Sequence, residues 1–138
     1  MAVGRDRWAQ MAFLGTFEAR LDEKNRMPIP AKFRDQFDAP AYLTSSEEPC
    51  IAVYTKDSFE ARAAEVQSVP ASDAGGRNAR RKFFGDAHDV AKDAQGRLLI
   101  PQRLMGHAGL TKEVAVVGAG DWFEIWDAAE WRARAEGA

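Results

Sequence analysis

Two short segments of the sequence place an aspartate four residues before an arginine. Asp22 precedes Arg26 in the first segment, and Asp93 precedes Arg97 in the second. Across a tight turn this spacing allows an ion pair, which at an exposed position contributes only ~0 to 1 kcal/mol. A projecting arginine can instead donate two hydrogen bonds to a guanine in the major groove of DNA, or bind a phosphate. One copy of the motif is weak evidence for either role. Its duplication makes the motif a moderately specific signal.

Both copies belong to an internal repeat that spans most of the chain. Residues 21–30 align with residues 92–101 at an offset of 71. Two later segments, 41–44 and 51–54, also resemble segments of the second half, at offsets of about 72 or 73. Small loop insertions account for the drift. Alternation and turn residues predict, for each half, a strand, a tight turn, a strand, a short helix, two strands and a helix.

Each motif is predicted to lie at the tip of a β-hairpin. Residues 13–21 are rich in aromatic and apolar side chains and predict the first strand, and residues 27–29 predict the strand that returns beside it. Asn25 in the first tip and Gly96 in the second are residues that tolerate the left-handed backbone of a short loop. The aspartate that opens each turn can accept hydrogen bonds from backbone amides.

Prolines mark the start of two short helices, because proline is favoured at the first helical position. Pro30 predicts a helix over residues 30–37. Pro101 predicts the equivalent helix over residues 101–105, which we expect Gly106 to end in a left-handed conformation.

Three longer helices are also predicted. Thr55 is a suitable N-cap for a helix from about residue 56 to residue 67, and Asp127 is the equivalent cap for a C-terminal helix. Between the repeats, residues 69–76 are rich in helix-breaking residues and precede a helix over residues 77–84.

Composition and charge limit the class of protein. The chain has 138 residues, of which 46% are hydrophobic and 29% charged, as in a soluble globular protein. Its single cysteine, Cys50, forms no intrachain disulfide, which favours the reducing cytoplasm. The net charge of −2 argues against binding nucleic acid through bulk electrostatics. Residues 20–34 nevertheless carry a local charge of +3. This segment is either a basic patch that binds DNA or an ordinary surface of mixed charge.

No constellation of residues indicates an enzyme or a metal site. His88 and His107 lie far apart in the sequence, and no Cys or His spacing is typical of metal ligands. A hydrolase that uses either histidine remains a rival hypothesis. His88, which is flanked by Asp86 and Asp89, is the candidate for a catalytic dyad.

Two further segments allow either a nucleic-acid or a structural interpretation. The aromatic and apolar residues over 122–126, together with Trp131, are compatible with a base-stacking platform, but the pattern over 122–126 favours a strand that is covered on both faces. The basic residues over 77–82 are compatible with phosphate binding, although a charged helix face is more often solvated or part of a subunit contact.

The sequence resembles the MraZ family, transcriptional regulators that are associated with the bacterial division and cell-wall gene cluster. The resemblance covers nearly all of residues 11–133 and rests on residues 13–15, 21–26, 30–34, 96–101, 107–110 and 123–126. It implies an α+β, mainly β fold, namely a double swapped-hairpin barrel related to AbrB, built from two tandem repeats with short helices.

The resemblance also implies a function and its partners. A protein of this type is expected to repress transcription by binding short G-rich repeats of double-stranded DNA upstream of the cluster's own promoter. It is expected to form a ring-shaped homo-oligomer, an octamer or a dodecamer, in the cytoplasm and on the nucleoid. No cofactor, metal or membrane partner is expected. The alternative is a protein-interaction or antitoxin-like oligomeric module, in which replacing the tip arginines leaves DNA binding unchanged.

The family's functional residues map onto the two tips. The DNA-contacting arginines fall on Arg26 and Arg97, and the tip motif is completed by Asp22, Asn25, Asp93 and Gly96. Lys24 matches a basic residue of the family, whereas the second tip has Gln95 at that position, so the tips are expected to contribute unequally. Lys32 and Arg34 of the basic segment complete the predicted DNA-binding set.

The expected domain organisation follows from the repeat and the resemblance. It comprises an N-terminal extension (1–10), a first swapped-hairpin repeat (11–68), a linker and helix (69–84) and a second repeat with a C-terminal helix (85–138). Members of the family usually start near Met11. Residues 1–10 are therefore expected to be an alternative start or a flexible tail.

Overall fold

The computed structural model describes residues 13–137, so the predicted extension, residues 1–10, lies outside the described residues. The first repeat contains β1 (Thr16–Arg20), β2 (Arg26–Pro28), α1 (Ala31–Arg34), β3 (Ala41–Ser45), β4 (Ile51–Tyr54) and α2 (Lys56–Ser68). After α3 (Ala74–Gly85), the second repeat contains β5 (His88–Val90), β6 (Arg97–Leu99), α4 (Gln102–Ala108), β7 (Glu113–Gly118), β8 (Trp122–Asp127) and α5 (Ala128–Gly137). The predicted order of elements is confirmed in both repeats. Among these helices, none has the length and apolar character needed to cross a membrane.

The strands form a mixed α/β fold around one antiparallel sheet of six strands, in the order β1-β7-β8-β4-β3-β5. The first strand of each repeat pairs with the third strand of the other repeat, β1 with β7 and β5 with β3. The remaining two strands, β2 and β6, form a separate two-stranded ladder. Within residues 13–137 the large sheet is open, with β1 and β5 at its edges, and no closed barrel is found. The expected barrel is therefore not confirmed.

The expectation that each tip joins two strands of one hairpin is wrong. The tight turns are present, since the amide of Asp22 donates to the carbonyl of Arg26, and the amide of Asp93 to that of Arg97. Beyond each turn, however, the chain pairs with the other repeat instead of with its own preceding strand. This exchange places Met27 of β2 and Leu98 of β6, which are both fully buried, opposite each other in one core.

The main core lies between one face of the large sheet and the layer formed by β2, β6, α1 and α4. Phe13, Phe33, Phe37 and Phe123 form its aromatic centre, with ring centroids 5.0 to 5.9 Å apart. Such pairs add about 0.5–1.5 kcal/mol each beyond the burial of their area. The core is shared by both repeats, which therefore fold as one body.

Helices cover the other face of the sheet. Trp126 of β8 packs with Cys50 and Trp131, and Tyr54 of β4 packs with Phe83 of α3. In β8, Phe123 and Ile125 are buried on one face and Trp126 on the other, whereas Trp122 is half-buried, so the structure favours the structural interpretation of these aromatic residues.

The helix ends follow capping chemistry. Thr55 and Ser58 form the capping box that starts α2, close to the predicted boundary. The expectation that Gly106 ends α4 is wrong, because Gly109 is the residue with the left-handed backbone, at a φ of 60°. Leu104 and Ala108 lie on the same helix face and are both buried, so the packing extends the helix past Gly106.

Candidate nucleic-acid interface

The short β2–β6 ladder joins the two tips, which lie at its opposite ends. We call residues 22–26 the first tip and residues 93–97 the second tip. At one end of the ladder the amide of Ile29 donates to the carbonyl of Gly96 at 2.9 Å, and at the other the amide of Ile100 donates to that of Asn25 at 3.0 Å. Each tip is therefore bonded to the strand that follows the other, and the two form one unit.

The aspartate of each tip organises the backbone of the turn. Oδ1 of Asp22 accepts hydrogen bonds from the amides of Lys24 and Arg26, both at 2.9 Å. Oδ1 of Asp93 accepts the two equivalent bonds in the second tip, also at 2.9 Å. These bonds satisfy backbone donors in a turn that has no ladder partner for them. The turn chemistry expected of the two aspartates is thus present.

The left-handed residues occupy the predicted positions. Asn25 has a φ of 61° and Gly96 a φ of 75°. Gly96 is constrained further, because a Cβ atom at this position lies 2.5 Å from Nε of Arg34. A larger residue at the second tip therefore requires a shift of the Arg34 side chain in addition to a left-handed backbone.

The second oxygen of each aspartate binds the arginine of its own tip. Nε of Arg26 donates to Oδ2 of Asp22 at 2.7 Å, and Nε of Arg97 to Oδ2 of Asp93 at 2.8 Å. Nη1 of Arg97 also lies 3.5 Å from Oδ2 of Asp22, so this carboxylate faces the arginines of both tips. The ion pair that the spacing allowed is therefore formed in both tips.

This ion pair orients each guanidinium group without using all of its donors. Among residues 13–137 the two Nη atoms of Arg26 have no hydrogen-bond partner. Of the two Nη atoms of Arg97, only Nη1 has a partner, in the long contact with Asp22. Two Nη donors in a fixed plane match the pair of acceptors on the major-groove edge of guanine. The aspartate thus acts as a positioning residue for its arginine.

Hydrogen bonds lower the pKa of both aspartates. The pKa of Asp22 is held below its ordinary value chiefly by the amide of Arg26, with further contributions from the Arg26 guanidinium and the amide of Lys24. The pKa of Asp93 is lowered by the equivalent bonds, the largest from the amide of Arg97. Both carboxylates are therefore ionised at neutral pH, as the orientation of the arginines requires.

The other predicted DNA-binding residues occupy different environments. Lys24 is exposed in the first tip and Lys32 is exposed on α1. Arg34 turns inward, where its Nη2 donates to the carbonyl of Ile29 at 2.9 Å and its side chain covers Gly96. Arg34 therefore supports the second tip, a structural role that the sequence did not predict.

A shallow groove of about 620 Å³ lies beside the first tip. Its basic lining side chains are Arg20, Lys24, Arg26, Arg97 and Lys112, and its acidic ones are Asp22 and Glu23. Lys112 comes from the second repeat, and its Nζ donates to the carbonyl of Asp22 at 3.2 Å. The sequence did not identify Lys112, because only the pairing of β1 with β7 brings it to a tip that lies 90 residues earlier.

The candidate catalytic residues contact backbone groups. Nδ1 of His88 lies 3.0 Å from the carbonyl of Asp86, and Nε2 of His107 lies 3.0 Å from that of Glu48. The Asp86 carboxylate bonds Ser45 and Arg103 instead of the adjacent imidazole. Burial raises the pKa of the Cys50 thiol to about 12. In the described part of the chain, no group of three or more His, Cys, Asp or Glu residues is arranged to hold a metal ion.

Two arginines of the basic helix α3 bind the preceding segment of the chain. Arg80 donates through Nη2 to the carbonyls of Gln67 and Val69, and Arg77 donates through Nη1 to the carbonyl of Ala71. These bonds satisfy carbonyls at and beyond the C-terminal end of α2. The structure therefore gives Arg77 and Arg80 a structural role.

Comparison with known proteins identifies the family. A family model described as "MraZ protein, putative antitoxin-like" matches residues 12–82 and, a second time, residues 83–137. The chain belongs to the MraZ family. The two matches correspond to the two repeats, so the MraZ unit occurs twice in this chain. The resemblance drawn from the tip motifs is thus confirmed.

Several MraZ relatives match most of this chain, and each of the following is named transcriptional regulator MraZ. The protein of Kocuria rhizophila is 43% identical over 120 residues, which cover 87% of this chain and 84% of the relative. That of Thermomicrobium roseum is 41% identical over 124 residues, covering 90% and 87%. That of Paenarthrobacter aurescens is 44% identical over 119 residues, covering 86% and 83%.

Replacing the glycine of the second tip should destabilise the fold, whereas replacing a helical glycine should not. Gly96→Ala is expected to destabilise the fold by about 1–2 kcal/mol or more, because it combines a left-handed backbone with a clash against Arg34. Gly106→Ala, inside α4 with open space around it, is expected to stabilise by about 0.5–1 kcal/mol. Urea denaturation measures both, and equal effects would contradict this description of the tip.

The lowered pKa of the two aspartates predicts an acid dependence of stability. Ionised Asp22 and Asp93 stabilise the folded state above their unfolded pKa of about 3.9, and this contribution is lost as the pH falls through the lower folded pKa. The variant Asp22→Asn/Asp93→Asn should therefore lose less unfolding free energy than the wild type between about pH 5 and pH 2. A control that replaces the exposed Asp38 and Asp57 with asparagine should retain the wild-type slope. Parallel curves for wild type and tip variant would show that the carboxylates do not carry this contribution.

Proposed function

We propose that this chain is a sequence-specific DNA-binding transcriptional repressor that reads double-stranded DNA with its two tips. The observation that carries the proposal is the adjacent placement of Arg26 and Arg97, each held at Nε by its own aspartate. The names of its relatives, transcriptional regulators, support a regulatory role. The protein is proposed to act without catalysis, metal or cofactor.

The arginines are proposed to recognise guanine. Each presents Nη donors in a plane fixed by the carboxylate, which reduces the conformational entropy lost on binding. A bidentate contact to O6 and N7 of guanine discriminates against other bases by about 1–3 kcal/mol. Two such arginines on one unit favour short operators that contain guanine, and we propose G-rich promoter repeats as the target. Lys24 and Lys32 are proposed to contact the DNA as well, and Arg34 to act beside them.

Multivalency is proposed to supply the affinity that one subunit lacks. The chain has a net charge of −2, so a single subunit makes few and salt-sensitive phosphate contacts. A ring-shaped homo-oligomer, an octamer or a dodecamer, places several tip pairs on successive repeats. Linked sites of this kind raise avidity by roughly 10²- to 10⁴-fold. Repression then follows from occupation of the promoter of the division and cell-wall gene cluster. The protein is proposed to be cytoplasmic and associated with the nucleoid.

We further propose that the chain is a double swapped-hairpin protein. The pairing of β1 with β7 and of β5 with β3 supports this arrangement, since each repeat contributes its first strand to the other. The proposed boundaries are 11–68 and 85–138 for the two repeats, with 69–84 as linker and helix.

A second candidate function is an antitoxin-like module whose tips bind a protein partner. The description of the matching family model as antitoxin-like favours it. The two functions differ in the role of the tip arginines, because only the DNA-binding function requires them for discrimination between DNA sequences.

Fluorescence anisotropy with the DNA upstream of the gene, and with a scrambled duplex, tests the proposal. The variant Arg26→Ala/Arg97→Ala should lose tight binding to the upstream DNA while circular dichroism shows it folded. The variant Arg26→Lys/Arg97→Lys keeps the charge but not the bidentate geometry. It should bind both duplexes with similar affinity, which corresponds to the loss of about 1–3 kcal/mol of discrimination for each arginine.

A matched control makes this experiment specific to the tips. Arg62→Lys/Arg132→Lys alters two exposed arginines on α2 and α5 and should preserve wild-type discrimination. Unchanged discrimination in the tip variants would refute the DNA-reading role and favour the antitoxin-like module.

A further inference from the structure

The first tip is surrounded by exposed cations that the second tip lacks. Arg20, Lys24 and Lys112 are all exposed, and they line the same groove as the two tip arginines. The groove has five basic and two acidic lining residues on a chain whose net charge is −2. A local excess of positive charge on an acidic protein indicates a surface that binds an anion.

Strand pairing fixes Lys112 at this position. The amide of Leu21 donates to the carbonyl of Lys112 at 2.8 Å, which places the lysine opposite the residue that enters the first tip. Its Nζ donates one hydrogen bond to the carbonyl of Asp22, at 3.2 Å. An ammonium group has three hydrogens, so two remain for another acceptor.

Arg20 forms only a long, exposed ion pair with another residue of the described chain. Its Nη1 lies 3.6 Å from Oε1 of Glu113, and the two side chains are 69% and 71% exposed. An exposed ion pair of this length contributes little energy, so an incoming anion can replace the carboxylate at small cost.

The repeat provides an internal comparison for each of these cations. At the offset of 71, Arg20 corresponds to Ala91 and Lys24 to Gln95. The pairing of Ala19 with Val114 corresponds to that of Val90 with Ala41, so the counterpart of Lys112 is Ala39. All three exposed cations of the first tip are therefore replaced by uncharged residues at the second.

The cations that do lie near the second tip serve the fold. Nζ of Lys92 donates to the carbonyl of Arg34 at 3.0 Å, and Nη2 of Arg34 donates to the carbonyl of Ile29. Both side chains are half-buried. They reinforce the contact between α1 and the second tip and add little to its exposed charge.

We infer that Arg20 and Lys112, together with Lys24, form a phosphate-binding groove that attaches the first tip to the nucleic-acid backbone. This inference rests on the proposed DNA-binding function and deepens it. Both arginines read bases, whereas the phosphate-binding groove lies on one side of the tip pair only. Each subunit therefore binds its operator in one orientation, despite the approximate symmetry of the repeats.

The salt dependence of DNA binding tests the groove. The variant Arg20→Gln/Lys112→Gln removes two charges, and glutamine retains an amide donor in place of each cation. Affinities for upstream and scrambled DNA should fall by the same factor, since phosphate contacts carry no sequence information. The slope of log Kd against log salt concentration should become shallower by about 1.8 for each subunit bound to the DNA, at about 0.9 for each phosphate that the variant no longer neutralises.

A charge-matched control separates direct phosphate binding from general attraction. Lys56→Gln/Arg62→Gln removes the same charge from exposed positions on α2, and its slope should remain close to that of the wild type. If the groove variant and this control have equal slopes while the wild type still discriminates upstream DNA, the groove is refuted and the proposed function stands. If the wild type shows no preference for upstream DNA, both are refuted.

Discussion

The antiparallel ladder between β2 and β6 is the interaction on which the rest of the interface depends. It joins two strands that are 71 residues apart in the sequence, and hydrogen bonds at both of its ends bind each tip to the other repeat. Met27 and Leu98, which face each other in this ladder, are fully buried. The orientation of the arginines is therefore supported by the hydrophobic core and not by an isolated loop.

The tips combine rigidity with unused hydrogen-bonding capacity. Each aspartate uses one oxygen for two backbone amides and the other for Nε of its arginine. Within residues 13–137, both Nη atoms of Arg26 and Nη2 of Arg97 have no hydrogen-bond partner. Pre-organisation of this kind matters most for a protein whose net charge is negative, here −2. The acidic chain cannot rely on bulk attraction, so its few exposed cations must be concentrated where DNA is bound.

Local chemistry was predictable from the sequence, and long-range pairing was not. The turn residues Asp22, Asn25 and Gly96 and the cap Thr55 act over a few neighbouring residues, so their types alone indicate their conformations. Alternation of apolar residues shows which face of a strand is buried, but not which strand lies beside it. The family resemblance implied swapped hairpins, but the partner of each strand, the inward turn of Arg34 and the position of Lys112 all depend on that pairing and emerge only from the structure. Gly109 replaced Gly106 as the helix cap for a similar reason, because burial of Ala108 extends α4.

The central claim is that oriented tip arginines read guanine, and replacement of guanine by 7-deazaguanine in the upstream DNA tests it most directly. This base lacks the N7 acceptor but still pairs with cytosine. If the arginines contact N7, the substitution should weaken binding by the wild type and should weaken binding by the Arg26→Lys/Arg97→Lys variant much less, since that variant no longer makes the bidentate contact. Equal losses for the two proteins, or no loss for either, would contradict guanine recognition by these arginines.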